Sequence, residues 1–381
     1  MTDSLSTLGT APTRARDLGI PFEGEPGPWN AITDVPGLEV GYVTILEDGP
    51  AVARTGVTAI LPRGRRAPAS ACAAGIESLN GNGELTGRSW IEEAGQFQMP
   101  IAITNSHAVG AVHRGVDAWM AEHDPLSAAQ WMLPVVGETW DGYLNSINAD
   151  SVRPEHAVAA FDAATSGPLA EGNVGGGTGM NCYGFKGGTG TASRVVRSDD
   201  QAWTVGVLMQ ANFGSRKELS VAGKQLGPDS EAPNTMETGD WFERDTRTGA
   251  HAVPGAGSII VIVATDAPML PDQCRALARR VTLGLARTGT TGSHFSGDIF
   301  LAFSTANEGR LMSRMGNEGE VQVEQIEHVS WGSMDPFYAA VVEATEEAVL
   351  NVLVAAKDME GRDGHVSYAL PHEEIRAAFG R

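Results

Sequence analysis

Cysteine is scarce in this 381-residue chain: Cys72, Cys182 and Cys274 are the only three. Odd in number and far apart, they suggest neither a disulfide framework nor a clustered thiolate metal site, and they suit a reducing cytoplasm. Long apolar runs are also missing. No stretch approaches the roughly 18 apolar residues of a membrane span, and the opening MTDSLSTLGTAPTRARDLGIPFEGEPGPW lacks the continuous apolar segment of a secretory signal. Basic residues are outnumbered, 27 Lys and Arg against 47 Asp and Glu, for a formal charge of −20. That balance repels nucleic acid and anionic membrane surfaces, so neither is expected as a partner. No repeat of 20 to 50 residues is visible, which excludes a solenoid. His107 and His113 lack the i, i+4 partner and added acid of a zinc site, and no metal or cofactor is expected.

What is present is the material of a packed globular protein, with 42% apolar and 19% charged residues. Residues 1–29, rich in Gly, Pro, Ser and Thr, read as a mobile or surface-wrapping arm, with the fold beginning near Asn30. Short apolar runs bounded by Gly, Pro or Asn then predict buried strands: LEVGYVTI (38–45), GVTAILP (56–62), PIAITNS (100–106), AWTVGVLMQAN (202–212) and SIIVIVATDAP (258–268). Helical patterns lie between them. One, over 106–123, follows a Ser placed to cap it; another, over 271–289, opens with Pro, closes at Gly and puts Leu277, Val281 and Leu285 on one face. A last long helix runs from Asp335 and Pro336 to Gly361. Strands and helices mix without regular βαβ alternation, so a layered α/β architecture is expected in place of a simple Rossmann sheet.

Residues 213–257 form a polar, Gly-rich stretch between two strongly apolar strands. Structureless segments of that length are uncommon and are often functional, a tolerated surface insertion being the other reading. The stretch ends in PGAG, joined directly to Ser258 and IIVIVA, so a hydroxyl sits where a loop meets a buried strand. Were Gly257–Ser258 cleaved, the freed α-amine, a group that ordinarily titrates at about pH 8, would suit a proton acceptor for its own hydroxyl. By pattern alone the same Ser reads first as a plain turn residue. EGNVGGGTGM (171–180) lacks both the Lys-Ser/Thr of a P-loop and dinucleotide-fingerprint spacing; its glycines, like those of FKGGTGTASR (185–194), read as tight turns near the active centre, with Lys186 either structural or lining the site.

Through NGNGELTG (80–87), PIAITNSHAVG (100–110), GETWDGYLN (137–145), EGNVGGGTGM, FKGGTGTASR, VGVLMQANFG (205–214), GSIIVIVATDAPMLP (257–271), RTGTTGSHFSGDIFLAFSTAN (287–307) and GRDGHVSYALP (361–371), the chain resembles the L-aminopeptidase/D-amidase-esterase family, which includes the β-aminopeptidases. The resemblance implies a four-layer αββα sandwich of the N-terminal-nucleophile type. It implies a precursor that cuts itself between Gly257 and Ser258 into residues 1–257 and 258–381 of one catalytic domain spanning 30–381, with processed heterodimers assembling as a homo-oligomer. It places Ser258 as nucleophile, Ser296 and Asp298 of an S-G-acid motif beside it, and Asn212 as donor to the oxyanion. Glu138 would hold the free ammonium of a small peptide or amino-acid amide, with Asp141 able to exchange roles with it. Trp140 stands where some members carry Tyr, so a hydroxyl is missing there.

Two rival readings accompany this one. An acetyltransferase of the ornithine type shares the architecture and self-cleavage but uses Thr, against which Ser258 speaks. An uncleaved, inactive paralogue acting as a binding protein is opposed by intact Glu138, Asn212, Ser258 and Ser296.

Overall fold

The computed structural model describes residues 13–130, 133–313, 315 and 321–380. Ten strands build the two main sheets: β1 (Glu39–Glu47), β2 (Ala53–Leu61), β3 (Cys72–Gly81), β4 (Gln96–Phe97), β5 (Ile101–Asn105), β6 (Val135–Thr139), β7 (Gly188–Arg197), β8 (Ala202–Gly214), β9 (Gly255–Thr265) and β10 (Ser296–Ser304). The smaller sheet has the order β1-β2-β5-β6 and the larger β4-β3-β10-β9-β8-β7. Pairing is antiparallel except for β5 with β6 and β9 with β10. Helices α1 (Val109–His123) and α2 (Pro154–Asp162) cover the smaller sheet, while α3 (Pro271–Arg287) and α4 (Asp335–Ala355) cover the larger. The result is the four-layer αββα sandwich.

Strand β9 shows why the chain folds this way. Ile260, Ile262 and Ala264 pack between the sheets with Ile101, Ile103 and Leu208. Ile259, Val261 and Val263 face the helix layer with Leu277, Val281 and Leu353. A strand buried on both faces must read as an unbroken apolar run, as SIIVIVA does. Truncating any of these isoleucines to Ala would cost about 2–5 kcal/mol.

Several boundaries differ from the sequence expectation. Helix α1 starts at Val109, not at Ser106, because the Ser106 hydroxyl donates to Glu138 instead of capping the helix. Helix α4 stops at Ala355, after which Met359–Glu360 pairs with Val366–Ser367. FKGGTGTASR is mostly not a turn: its residues from Gly188 onward belong to β7, where Gly190 admits the close approach of α4, the carbonyl of Ala348 lying 2.4 Å from where a Cβ would stand. The polar stretch 213–257 carries two short helices, Thr235–Thr238 and Trp241–Thr246. The fold also begins before Asn30. Ala15 and Leu18 are buried, and Arg16 forms an ion pair with Glu347 at 2.7 Å, so the described part of the arm is pinned to α4. Among the described residues no helix is long and apolar enough to cross a membrane.

Candidate active site

Ser258 lies near the start of β9 and is 2% exposed. It stands directly opposite Asn212 of β8 and Gly297 of β10. Residues paired across neighbouring strands project from the same face of a sheet. Ser258 shares the inter-sheet face with Ile260, so Asn212 and Gly297 open onto that face too. The ladder slips between Asn212 and Gly214, one residue past the Ser258 pairing. At Gly257 a Cβ would stand 1.9 Å from the Asn212 carbonyl oxygen, so only glycine fits before Ser258.

Two donors converge on this point. The backbone N–H of Trp140 donates to Ser258 Oγ at 3.1 Å. Asn212 Oδ1 accepts the Asn181 backbone N–H at 2.8 Å, which fixes the amide so that Nδ2 points elsewhere; Nδ2 is buried and has no protein partner. A buried N–H left unpaired costs roughly 1–3 kcal/mol, which a developing anion would recover. Trp140 therefore contributes its backbone, and the loss of a tyrosine hydroxyl at this position leaves that donor intact.

Ser296 and Asp298 sit together: Ser296 Oγ donates to Asp298 Oδ1 at 2.5 Å, and Asn80 Nδ2 donates to Asp298 Oδ2 at 3.0 Å. Burial holds the Asp298 carboxyl above its ordinary range. In the parallel register Ser296 pairs with Gly257 and Asp298 with Ile259. Strand alternation then places both side chains on the sheet face opposite the Ser258 hydroxyl. No hydrogen bond joins the Ser296 and Ser258 side chains; the pair flanks the backbone of the Gly257–Ser258 bond.

Glu138 belongs to β6, not to a loop, and the apolar PVVG before it is the signal that marks the strand. It is buried, accepting the Glu84 backbone N–H at 2.9 Å and the Ser106 hydroxyl. Burial raises its pKa. Gly83 lies between Glu138 and Gly297: a Cβ there would be 3.3 Å from Glu138 Oε1 and 3.0 Å from the Gly297 Cα. By strand alternation Glu138, like Val136, lies on the helix-facing side of the smaller sheet, and at the strand ends it meets the Ser258 region through Gly83. Asp141 does not exchange with it. That side chain is fully buried, accepts Asn145 Nδ2 at 3.0 Å, and burial pushes its pKa up to about 7.

A cavity of about 630 Å³ adjoins these groups, lined in part by His107, Trp140, Asn145, Trp241, Phe242 and Arg362. That volume suits a small-molecule or dipeptide-sized ligand. Trp140 and Trp241 stack with ring centroids 6.1 Å apart. Arg362 donates to the Gly142 carbonyl at 2.7 Å and pairs with Asp245 and Asp363. A separate, more apolar cavity of about 360 Å³, around Trp90, Phe97 and Met99, shares none of these residues. Among the described residues no group of three His, Cys, Asp or Glu is arranged to hold a metal. Reading the sequence residue by residue missed Asn80, Gly83, Ser106, Asn181 and Trp241. All but Trp241 fall inside the motif segments quoted above or directly after one, so the segments marked the region without assigning the roles.

A serine near a strand start between two stacked sheets, sharing its face with an orphan amide and met at the strand ends by a buried carboxylate, defines an N-terminal-nucleophile type of hydrolase. The chain belongs to peptidase family S58, whose model matches residues 30–367. It is 50% identical to the β-peptidyl aminopeptidase BapA of Sphingosinicella microcystinivorans, over 96% of this chain and 91% of that one. Among solved structures it is similar to the L-aminopeptidase D-Ala-esterase/amidase of Ochrobactrum anthropi, with a TM-score of 0.85, 43% identity, and coverage of 96% and 97% of the two chains. A β-aminopeptidase of Burkholderia sp. matches with a TM-score of 0.85 and 46% identity over 96% and 98%. The chain is accordingly a hydrolase, an aminopeptidase.

Proposed function

We propose that the protein is a self-processing serine aminopeptidase that removes an L-, D- or β-aminoacyl residue from amides, esters or short peptides. The observation that carries this reading is the pair of donors at Ser258: one already on its hydroxyl, the other buried and unpaired across the strand. In processing, Ser258 Oγ attacks the Gly257 carbonyl carbon, the C–N bond breaks with the proton passing to nitrogen, and water hydrolyses the resulting ester. Gly257 becomes a carboxylate and Ser258 gains a free α-amine.

In turnover that α-amine takes the Oγ proton as Oγ attacks the substrate carbonyl, and returns it to the leaving amine. The Ser296–Asp298 pair, flanking the Ser258 backbone, orients the amine. Asn212 Nδ2 stabilises the tetrahedral oxyanion, and water releases the acyl group. Glu138 holds the substrate ammonium, a charge-assisted contact that restricts cleavage to N-terminal residues. The names of the relatives favour β-residues among the substrates. A panel of L-, D- and β-aminoacyl anilides with free and N-acetylated termini tests the reading: free amines are hydrolysed and acetylated ones are not. Equal turnover of both would remove Glu138 as ammonium anchor.

A further inference from the structure

We infer that Lys186 is a positioning residue that sets both donors at Ser258 through one hairpin. The inference rests on the assignment of Asn212 as oxyanion donor. Lys186 is fully buried, and its Nζ donates to the Met180 carbonyl at 2.8 Å and the Gly187 carbonyl at 2.9 Å. These bonds tie together the two arms of the hairpin in which Asn181–Cys182 pairs with Phe185–Lys186. A buried lysine with no carboxylate within ion-pair distance is expensive to keep, and a structural role alone is met more cheaply by an apolar side chain.

The hairpin leads to each donor by a short path. The Asn181 N–H, next in the chain to Met180, fixes the Asn212 amide. The Met180 sulfur accepts the Thr139 hydroxyl at 2.9 Å, and Thr139 directly precedes Trp140, whose N–H reaches Ser258. Gln210 Nε2 also donates to Thr139 Oγ1 at 2.7 Å, locking that residue from the β8 side. Displacement of Met180 would therefore misplace both donors together. Burial pulls the Lys186 pKa down to about 7. The two carbonyls need only two hydrogens, which the neutral amine and the ammonium both supply, so the brace holds in either form. Asp141, fully buried beside Trp140 with Oδ2 unpaired, is a neighbour in charge but makes no ion pair with Lys186.

The test is a double-mutant cycle on the purified, self-processed enzyme: wild type, Lys186→Met, Asn212→Ala and the double variant. Each is assayed for kcat and KM on an aminoacyl anilide, normalised to cleaved chain by intact mass. Misplacing a catalytic group by about 1 Å can cost on the order of 10²-fold. Lys186→Met is expected to lower kcat about 10- to 100-fold with KM within about twofold, and to cost several-fold less when Asn212 is already Ala, because the part that acts through Asn212 is then gone while the part that acts through the Trp140 N–H remains. Equal cost in both backgrounds, or a rise in KM alone, overturns the positioning role while the oxyanion assignment stands. If Asn212→Ala leaves kcat unchanged, the oxyanion assignment itself falls. Should Lys186→Met not fold, Lys186→Gln replaces it in the same cycle with the same deciding outcomes.

Discussion

Two clusters of buried polar groups, one beneath α4 and one around Ser258, are finished to different degrees. Beneath α4, Glu347 accepts Arg16 at 2.7 Å, Arg194 at 2.8 Å and Asn30 Nδ2 at 2.6 Å, while Arg14 faces Glu171 at 2.8 Å and Arg194 also faces Glu343 at 3.3 Å. Every carboxylate there meets a guanidinium. Burial alone would raise Glu347, but the hydrogen bond from Arg16 and the charge of Arg194 hold its carboxyl below the ordinary range. Around Ser258 and Trp140, Asn212 Nδ2 and Asp141 Oδ2 have no partner, and burial leaves Glu138 raised. Unpaired buried atoms also occur away from the site, at Gln96 and Thr345, so what distinguishes this cluster is that its open donor stands across the strand from Ser258.

The contrast predicts which property each cluster governs. The largest effect is expected at the completed cluster: Glu347→Ala strands Arg16, leaves buried Arg194 with Glu343 as its remaining carboxylate, and should cost about 3–5 kcal/mol of stability, measured by chemical denaturation, while kcat of the folded enzyme stays near wild type. A matching loss of kcat would blur the division. At the open cluster, Asn212→Ala should lower kcat by about 10²–10³, or roughly 2.7–4 kcal/mol, with the unfolding midpoint lowered only slightly, since relief of the unpaired Nδ2 is offset by the Asn181 N–H losing its acceptor. A fall in stability with unchanged kcat would place Asn212 with the structural groups instead.

Glu138→Gln comes next, at about 1.5–3 kcal/mol for a lost charged hydrogen bond, read chiefly as a rise in KM. The same residue gives the smallest effect, in pH. Because burial raises its pKa, Glu138 begins to take up a proton above the usual carboxylate range as pH falls. Ammonium binding needs the ionised form, so KM should climb on the acid side starting above that range, and Glu138→Gln should flatten the climb. A KM profile identical in the two proteins would detach Glu138 from substrate binding.

How much of this was legible in the sequence depends on the kind of residue. Strands buried on both faces, such as β8 and β9, announce themselves by continuous apolar runs. Strand β7 does not: its Thr191 and Ser193 bond to Glu171, Val207 and Asn30, so a buried strand looks like a polar loop. The chain positions of Ser258, Asn212 and Glu138 could be proposed from family motifs, but the face each occupies could not. Only the register, with Ser258 opposite Gly297, separates Ser296 and Asp298 from the hydroxyl and directs them to the Gly257–Ser258 backbone. Likewise Ser106 looked like a helix cap because its bond to Glu138 spans 32 residues, a long-range contact that local pattern does not encode.

Cleavage of the chain by its own Ser258 is read out by the intact mass of purified wild type beside Ser258→Ala. Wild type should resolve under denaturing conditions into two chains ending at Gly257 and beginning at Ser258, and Ser258→Ala should remain one full-length chain. A single full-length wild-type species, or cleavage that persists in Ser258→Ala, would contradict it.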